Sequence, residues 1–206
     1  MAISVSQSSS DSARTEFTLP IDIPRHQFSV QQYHEMIEHG ILDENESVEL
    51  IRGEIVKKMP VGNLHAATVK RINRLFASLL PTEALLSIQD PISTADSEPE
   101  PDVAVLNFRE HLYAVCRPVA QDVRLSIEVA DSSINYDRDI KGAVYASAGI
   151  SEYWIINLNN NTIEVYHNPQ PDGRFATVTT AQVEEILRPK GLAGISLKVD
   201  ELLGIS

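Results

Sequence analysis

Two acidic residues sit in apolar surroundings that do not call for them. Asp102 follows Ser97-Glu98-Pro99-Glu100-Pro101 and precedes Val103-Ala104-Val105. The two prolines stiffen the approach and exclude helix, so they deliver Asp102 to the first position of an apolar strand. Glu128 lies inside Leu125-Ser126-Ile127-Glu128-Val129-Ala130, a second strand-like run. On adjacent central strands the two carboxylates could converge on a divalent cation. Hard cations such as magnesium prefer oxygen ligands and need only one or two carboxylates plus water and a substrate phosphate. Period-two alternation puts Arg124, Ser126 and Glu128 on one face, which equally allows Glu128 to look at water. An Asp after Pro also caps strands and turns. The residues alone leave both readings open.

Lys141 comes four residues after Asp137 and four before Tyr145, on a helical stretch. It reads either as a surface lysine with an acidic partner one turn away or as a cation that reaches the two carboxylates. In the second case it would orient a water or offset charge in a phosphoryl transition state. Glu49, in Val48-Glu49-Leu50-Ile51-Arg52-Gly53-Glu54, is either one polar residue of a hairpin or a third acid near a metal. His65, at the start of the next helix, reads as a cap or a hydrogen-bonded helix residue. Between Arg52 and Arg74 the basic residues Arg52, Lys57, Lys58, Lys70, Arg71 and Arg74 meet a single acid, Glu54. A basic hairpin and helix on an acidic body could meet a phosphate backbone locally.

The rest of the chain narrows the class. Its 206 residues carry 29 acids against 17 Lys and Arg, a formal charge of −12, which argues against a whole-surface grip on nucleic acid. Hydrophobic residues make up 43%, ordinary for a soluble globular protein. One cysteine, Cys116, excludes a disulfide framework within the chain and any cysteine-based zinc cluster. There is no Gly-rich phosphate loop, dinucleotide glycine pattern, nucleophile elbow or His-Glu-x-x-His. No apolar run approaches the ~18 residues of a membrane helix, and no signal peptide is visible. A cytoplasmic location without membrane contact is the expectation.

The elements that must position these residues follow from pattern and punctuation. The Ser-rich residues 1–24 read as a tail, and residues 25–206 as one domain. Ser29 and Gln32 form a capping box for a first helix that Gly40 stops. Val48–Ile51 and Glu54–Met59 flank Arg52-Gly53 as a hairpin. Asn63 caps a second helix over 64–80 with Leu64, Val69, Ile72, Leu75, Phe76 and Leu79 on its apolar face. Ala84–Gln89, Asp102–Leu106 and Val123–Ala130 read as strands. Asp137–Ala148 reads as a third helix, stopped by Gly149. Glu152–Leu158 and Thr162–His167 form a hairpin across Asn159-Asn160-Asn161, Arg174–Val178 adds a strand, and Leu197–Leu203 is a short helix. This is a mixed α/β (α+β) domain around one sheet.

Several of these segments, in this order, resemble one family. They are Val48–Val56, Gln89-Asp90-Pro91-Ile92, Glu98–Val105, Ile127-Glu128-Val129-Ala130-Asp131-Ser132-Ser133 and Tyr145–Ile156. Together they resemble the Uma-two family of restriction-endonuclease-like proteins, within the PD-(D/E)XK nuclease superfamily. The resemblance implies a restriction-endonuclease-like mixed central sheet flanked by helices, with added hairpin strands. It implies metal-dependent hydrolysis of phosphodiester bonds in DNA. Pro101-Asp102 matches the PD half motif and Glu128 the following acid. Asp102 and Glu128 would bind Mg2+ or Mn2+, with the carbonyl of Val129 completing the protein ligands. The superfamily lysine belongs two residues after the acid, where this chain has Ala130; Lys141 matches a lysine moved to the following helix. Glu49 matches the extra acid many members supply. Ala130 and the charge of −12 keep a competing expectation alive, a catalytically degenerate nucleic-acid-binding or assembly module on the same fold. Enzymes that cut both strands often pair by two-fold symmetry, so a homodimer is expected.

Overall fold

The computed structural model describes residues 24–43 and 45–205, so the tail expected over 1–24 lies, but for Pro24, outside the described residues. Helix α1 (Val30–Glu38) opens on the expected capping box: the Gln32 N–H donates to Ser29 Oγ at 3.2 Å and the Ser29 N–H to Gln32 Oε1 at 2.9 Å. Its Tyr33 packs with Val48 and Leu50 of β1 (Val48–Ile51), which pairs antiparallel with β2 (Glu54–Lys57). The intervening Arg52-Gly53 turn has positive φ at both residues, 48° and 77°, as a tight hairpin requires.

Gly53 has a second reason to be glycine. A Cβ there would lie 2.7 Å from the Cβ of Gln27 and 3.1 Å from the Phe28 carbonyl oxygen. We expect Gly53→Ala to cost about 2 kcal/mol, from backbone strain plus the clash. Thermal denaturation followed by circular dichroism should show a melting temperature several degrees lower.

Helix α2 (Asn63–Leu79) starts one residue earlier than expected: Gly62 holds the cap position without a side-chain bond, and Asn63 is already helical. Val69, Ile72 and Phe76 are buried as the pattern predicts, but Leu64 and Leu79 are exposed because they lie at the two ends of the helix.

The central sheet has six strands in the order β3 (Ala84–Ser87), β4 (Val103–Asn107), β5 (Val123–Ala130), β6 (Glu152–Asn157), β7 (Thr162–Pro169) and β8 (Phe175–Ala181). Every neighbouring pair is antiparallel except β5 and β6. A parallel pair needs a crossover, and residues 131–151 supply it as helix α3 (Ile134–Tyr136), a π-helical turn (Asp137–Lys141) and helix α4 (Gly142–Ala148). The expected third helix therefore begins three residues early and contains a π turn. The Gly142 N–H bonds to the Asp137 carbonyl, which also accepts the Tyr153 hydroxyl at 3.1 Å. Gly149, at φ 84°, ends the helix.

The two sheet faces bury different cores. Leu125, Ile127 and Val129 join Val103, Trp154 and Ile156 beneath α2 and helix α5 (Val199–Leu203). Ala104, Ala130 and Ile155 join Tyr145 of α4 and Tyr153 on the other face. A small antiparallel pair, β9 (Ile186–Leu187) with β10 (Leu197–Lys198), was not expected; two-residue strands leave no period to read. It also takes the first two residues of the helix expected over Leu197–Leu203, which starts at Val199. Among the described residues no helix is long and apolar enough to cross a membrane.

Candidate active site

The register of β4 on β5 decides where the two acids meet. Val103 pairs with Ile127 and Ala104 with Ser126. Asp102 directly precedes the Val103–Ile127 pair, next to Glu128 of β5, and both acids line one cavity. Pro101 has no N–H to donate, and the Asp102 N–H points to the Glu128 side chain, 3.4 Å from Oε2. Glu128 does not look at water: it is 2% exposed, beneath the crossover helix.

Each acid is held by its own partners. Asp102 Oδ2 accepts the Val129 N–H at 2.8 Å and lies 2.9 Å from His65 Nε2, while Oδ1 accepts Gln89 Nε2 at 3.3 Å. Burial would raise the Asp102 carboxyl, but the hydrogen bond and charge of His65, the Val129 N–H and the Lys141 charge hold it below its ordinary value. Glu128 Oε1 accepts Lys141 Nζ at 3.0 Å and the Tyr145 hydroxyl at 2.7 Å. Burial, helped by the charges of Asp102 and Asp137, drives Glu128 well above its ordinary value despite Lys141.

The π turn carries the cation into this acid group. Asp137 and Lys141 are both buried on its inner side. Lys141 Nζ also donates to the Glu100 carbonyl at 2.9 Å and lies 3.6 Å from Glu49 Oε2. Burial would lower Lys141, but Glu128, Glu49 and Asp137 outweigh it and keep the ammonium protonated. Glu49 reaches the site from β1, taking the Tyr136 hydroxyl at 3.0 Å and the Glu100 N–H at 3.1 Å. Asp137, pushed up to about 6 by burial, accepts the Ser133 hydroxyl at 2.6 Å. Arg138 ties the outer side of the turn to Glu164 of β7 through two guanidinium bonds.

Asp102, Glu128, Lys141, Glu49, Asp137 and His65 line a cavity of about 390 Å³, together with Ser47, Lys58, the Met59–Gly62 loop and Asp131. Among the described residues six acids and two lysines line it, so carboxyl groups outnumber the ammonium groups. Among the described residues no three His, Cys, Asp or Glu side chains already form a metal-ready group. Asp102 and Glu128 are the neighbouring carboxylates of the cavity, the oxygen donors that a hard cation keeping most of its own waters would take.

Asp102, Glu128, Val129, Lys141 and Glu49 thus all come together. The basic set does not. Only Lys58 lines the cavity, paired with Glu100 at 2.6 Å, and Arg71 is engaged with the Leu203 carbonyl at 3.1 Å. His65, Tyr136, Tyr145, Asp137 and Gln89 were missed as site residues. The four-residue spacing of Asp137, Lys141 and Tyr145 was the available signal for two of them. Nothing local marks His65.

A mixed sheet flanked by helices, with acids and a lysine gathered where β4 and β5 part, defines a nuclease-like fold. Residues 30–200 match the Uma2 family, described as "Putative restriction endonuclease", and the chain belongs to that family. It is similar in fold to the crystal structure of a protein from Anabaena variabilis, described as "a putative nuclease belonging to DUF820". That match has a TM-score of 0.66 and 19% identity, and covers 81% of this chain and 96% of the other. No curated protein matches the sequence.

Proposed function

We propose that the protein is a metal-dependent endonuclease that hydrolyses phosphodiester bonds of DNA. The observation that carries this reading is the buried set of Asp102, Glu128 and Lys141, in which one ammonium serves an excess of carboxylates. Such an excess of like charge in a low-dielectric pocket favours a cation from solution. Asp102, Glu128 and the Val129 carbonyl would hold Mg2+ or Mn2+. When bound, such an ion lowers the pKa of a water ligand and offsets charge on the phosphate.

The chain's own residues do the rest. Lys141 stands within hydrogen-bond reach of Glu128, fixed by Glu49 and the Glu100 carbonyl, and offsets the negative charge that builds on the phosphate oxygens. It supplies the ammonium missing at Ala130, which is packed in the core instead. His65 and the Val129 N–H fix the Asp102 carboxylate, and Tyr145 fixes that of Glu128. Lys58 is the phosphate contact at the cavity wall. A two-fold homodimer would set two such sites on opposite strands; a monomer mass by sedimentation at micromolar concentration would overturn that part.

The test is cleavage of plasmid and oligonucleotide DNA with Mg2+ or Mn2+ against a chelator control. Wild type should cut only with metal, and Glu128→Gln should not cut. Absence of metal-dependent cleavage on every DNA form, or equal activity in the variant, would overturn the reading. Binding without cleavage would leave the assembly or binding module.

A further inference from the structure

The cavity also bears on the form of DNA that can reach the site, an inference that rests on the nuclease reading above. Asp102, Glu128 and Lys141 are 8%, 2% and 6% exposed. A scissile phosphate must therefore enter the cavity rather than lie across its mouth. Its volume, about 390 Å³, is that of a pocket for one small organic molecule. A single nucleotide fits such a space.

The charge of the walls points the same way. A duplex brings one negative charge per ~1.7 Å of axis, and this cavity offers it mostly carboxylates. Among the described residues Lys58 is the only lining lysine besides Lys141, so phosphate attraction is a weak source of grip. The walls offer apolar surface instead. Met59, Pro60 and Val61 line the cavity, and Met59 and Val61 are 41% and 55% exposed although both are large apolar residues. Tyr136 also lines the cavity, with its hydroxyl on Glu49. Apolar and aromatic surface beside a phosphate-processing site suits an unstacked base, as the aromatic side chains on which single-strand binders stack bases do.

We infer that the substrate is unpaired DNA, with the base next to the scissile phosphate seated on the Met59–Pro60–Val61 ledge. One site suffices for such a strand, so this does not depend on a dimer. Paired DNA must first be opened, at an energetic cost that a single strand does not bear.

The experiment compares one fluorescently labelled sequence as a single strand, as a duplex, and as a duplex with a central unpaired bubble, with Mn2+. Wild type should cut the single strand and the bubble at least tenfold faster than the duplex, with cuts confined to unpaired positions. The double variant Met59→Ser/Val61→Ser should lose about tenfold on the single strand while its Mn2+ affinity by calorimetry and its melting temperature stay as in wild type. Duplex cut as fast as single strand, or an unaffected double variant, overturns the inference and leaves the nuclease reading intact. If no form is cut, the nuclease reading fails; fluorescence anisotropy with Ca2+ then decides the inference. Tighter binding of the single strand, lost in the double variant, supports it, and equal or absent binding overturns it.

Discussion

Lys141→Met should remove cleavage to below one hundredth of wild type and also lower stability. The ammonium of Lys141 is buried and meets Glu128 at 3.0 Å, Glu49 at 3.6 Å and the Glu100 carbonyl at 2.9 Å. Methionine keeps the length and the apolar stem but leaves those carboxylates facing one another. Breaking a buried pair by deleting one partner costs about 3–5 kcal/mol, and proton uptake by Glu128 would return part of it. The measurement is chemical denaturation alongside single-turnover cleavage. Unchanged cleavage in a folded Lys141→Met protein would remove Lys141 from the reaction. The loss of both properties separates this position from an exposed lysine with a helical acidic neighbour, which is worth about 0.3–0.5 kcal/mol and nothing in cleavage.

Glu128→Gln should do the opposite to stability while abolishing activity. Glu128 is buried among Asp102, Asp137 and Glu49, so its negative charge is unwelcome until a cation arrives. A group whose folded pKa lies above its unfolded value stabilises the fold while protonated at low pH and loses that contribution as pH rises through the folded pKa. Neutral glutamine keeps the acceptor for Lys141 and Tyr145 and removes the charge. The metal-free variant should therefore melt no lower than wild type near neutral pH, while metal-dependent cleavage falls at least a thousandfold. A variant that melts much lower would show that the Glu128 carboxylate is a structural ion-pair member rather than a group kept ready for a cation.

The two expected outcomes would divide the site into a part that costs stability and a part that maintains it, and the sequence shows these parts unequally. The Ser29–Gln32 capping box, the Arg52-Gly53 turn and the whole of Val123–Ala130 were readable because caps, turns and apolar alternation are local signals. Whether Glu128 faced water was not readable. Alternation says which residues share a face, but only the neighbouring strand and the helix above decide whether that face is wet. That Asp102 comes next to Glu128 depends on antiparallel register, a relation between segments 26 residues apart with nothing local to encode it. The π turn was equally hidden, since its extra residue is stabilised by Tyr153 and by the Arg138–Glu164 contact from other strands. His65 reaches Asp102 only because α2 crosses above the end of β4, which no spacing in the sequence expresses.

The central claim is that Asp102 and Glu128 hold one divalent cation, and calorimetric titration of the protein with Mn2+ tests it most directly. The account predicts a single site in wild type that disappears in both Asp102→Asn and Glu128→Gln, each of which should remain folded. No measurable binding at millimolar Mn2+, or binding that survives in either variant, would contradict it.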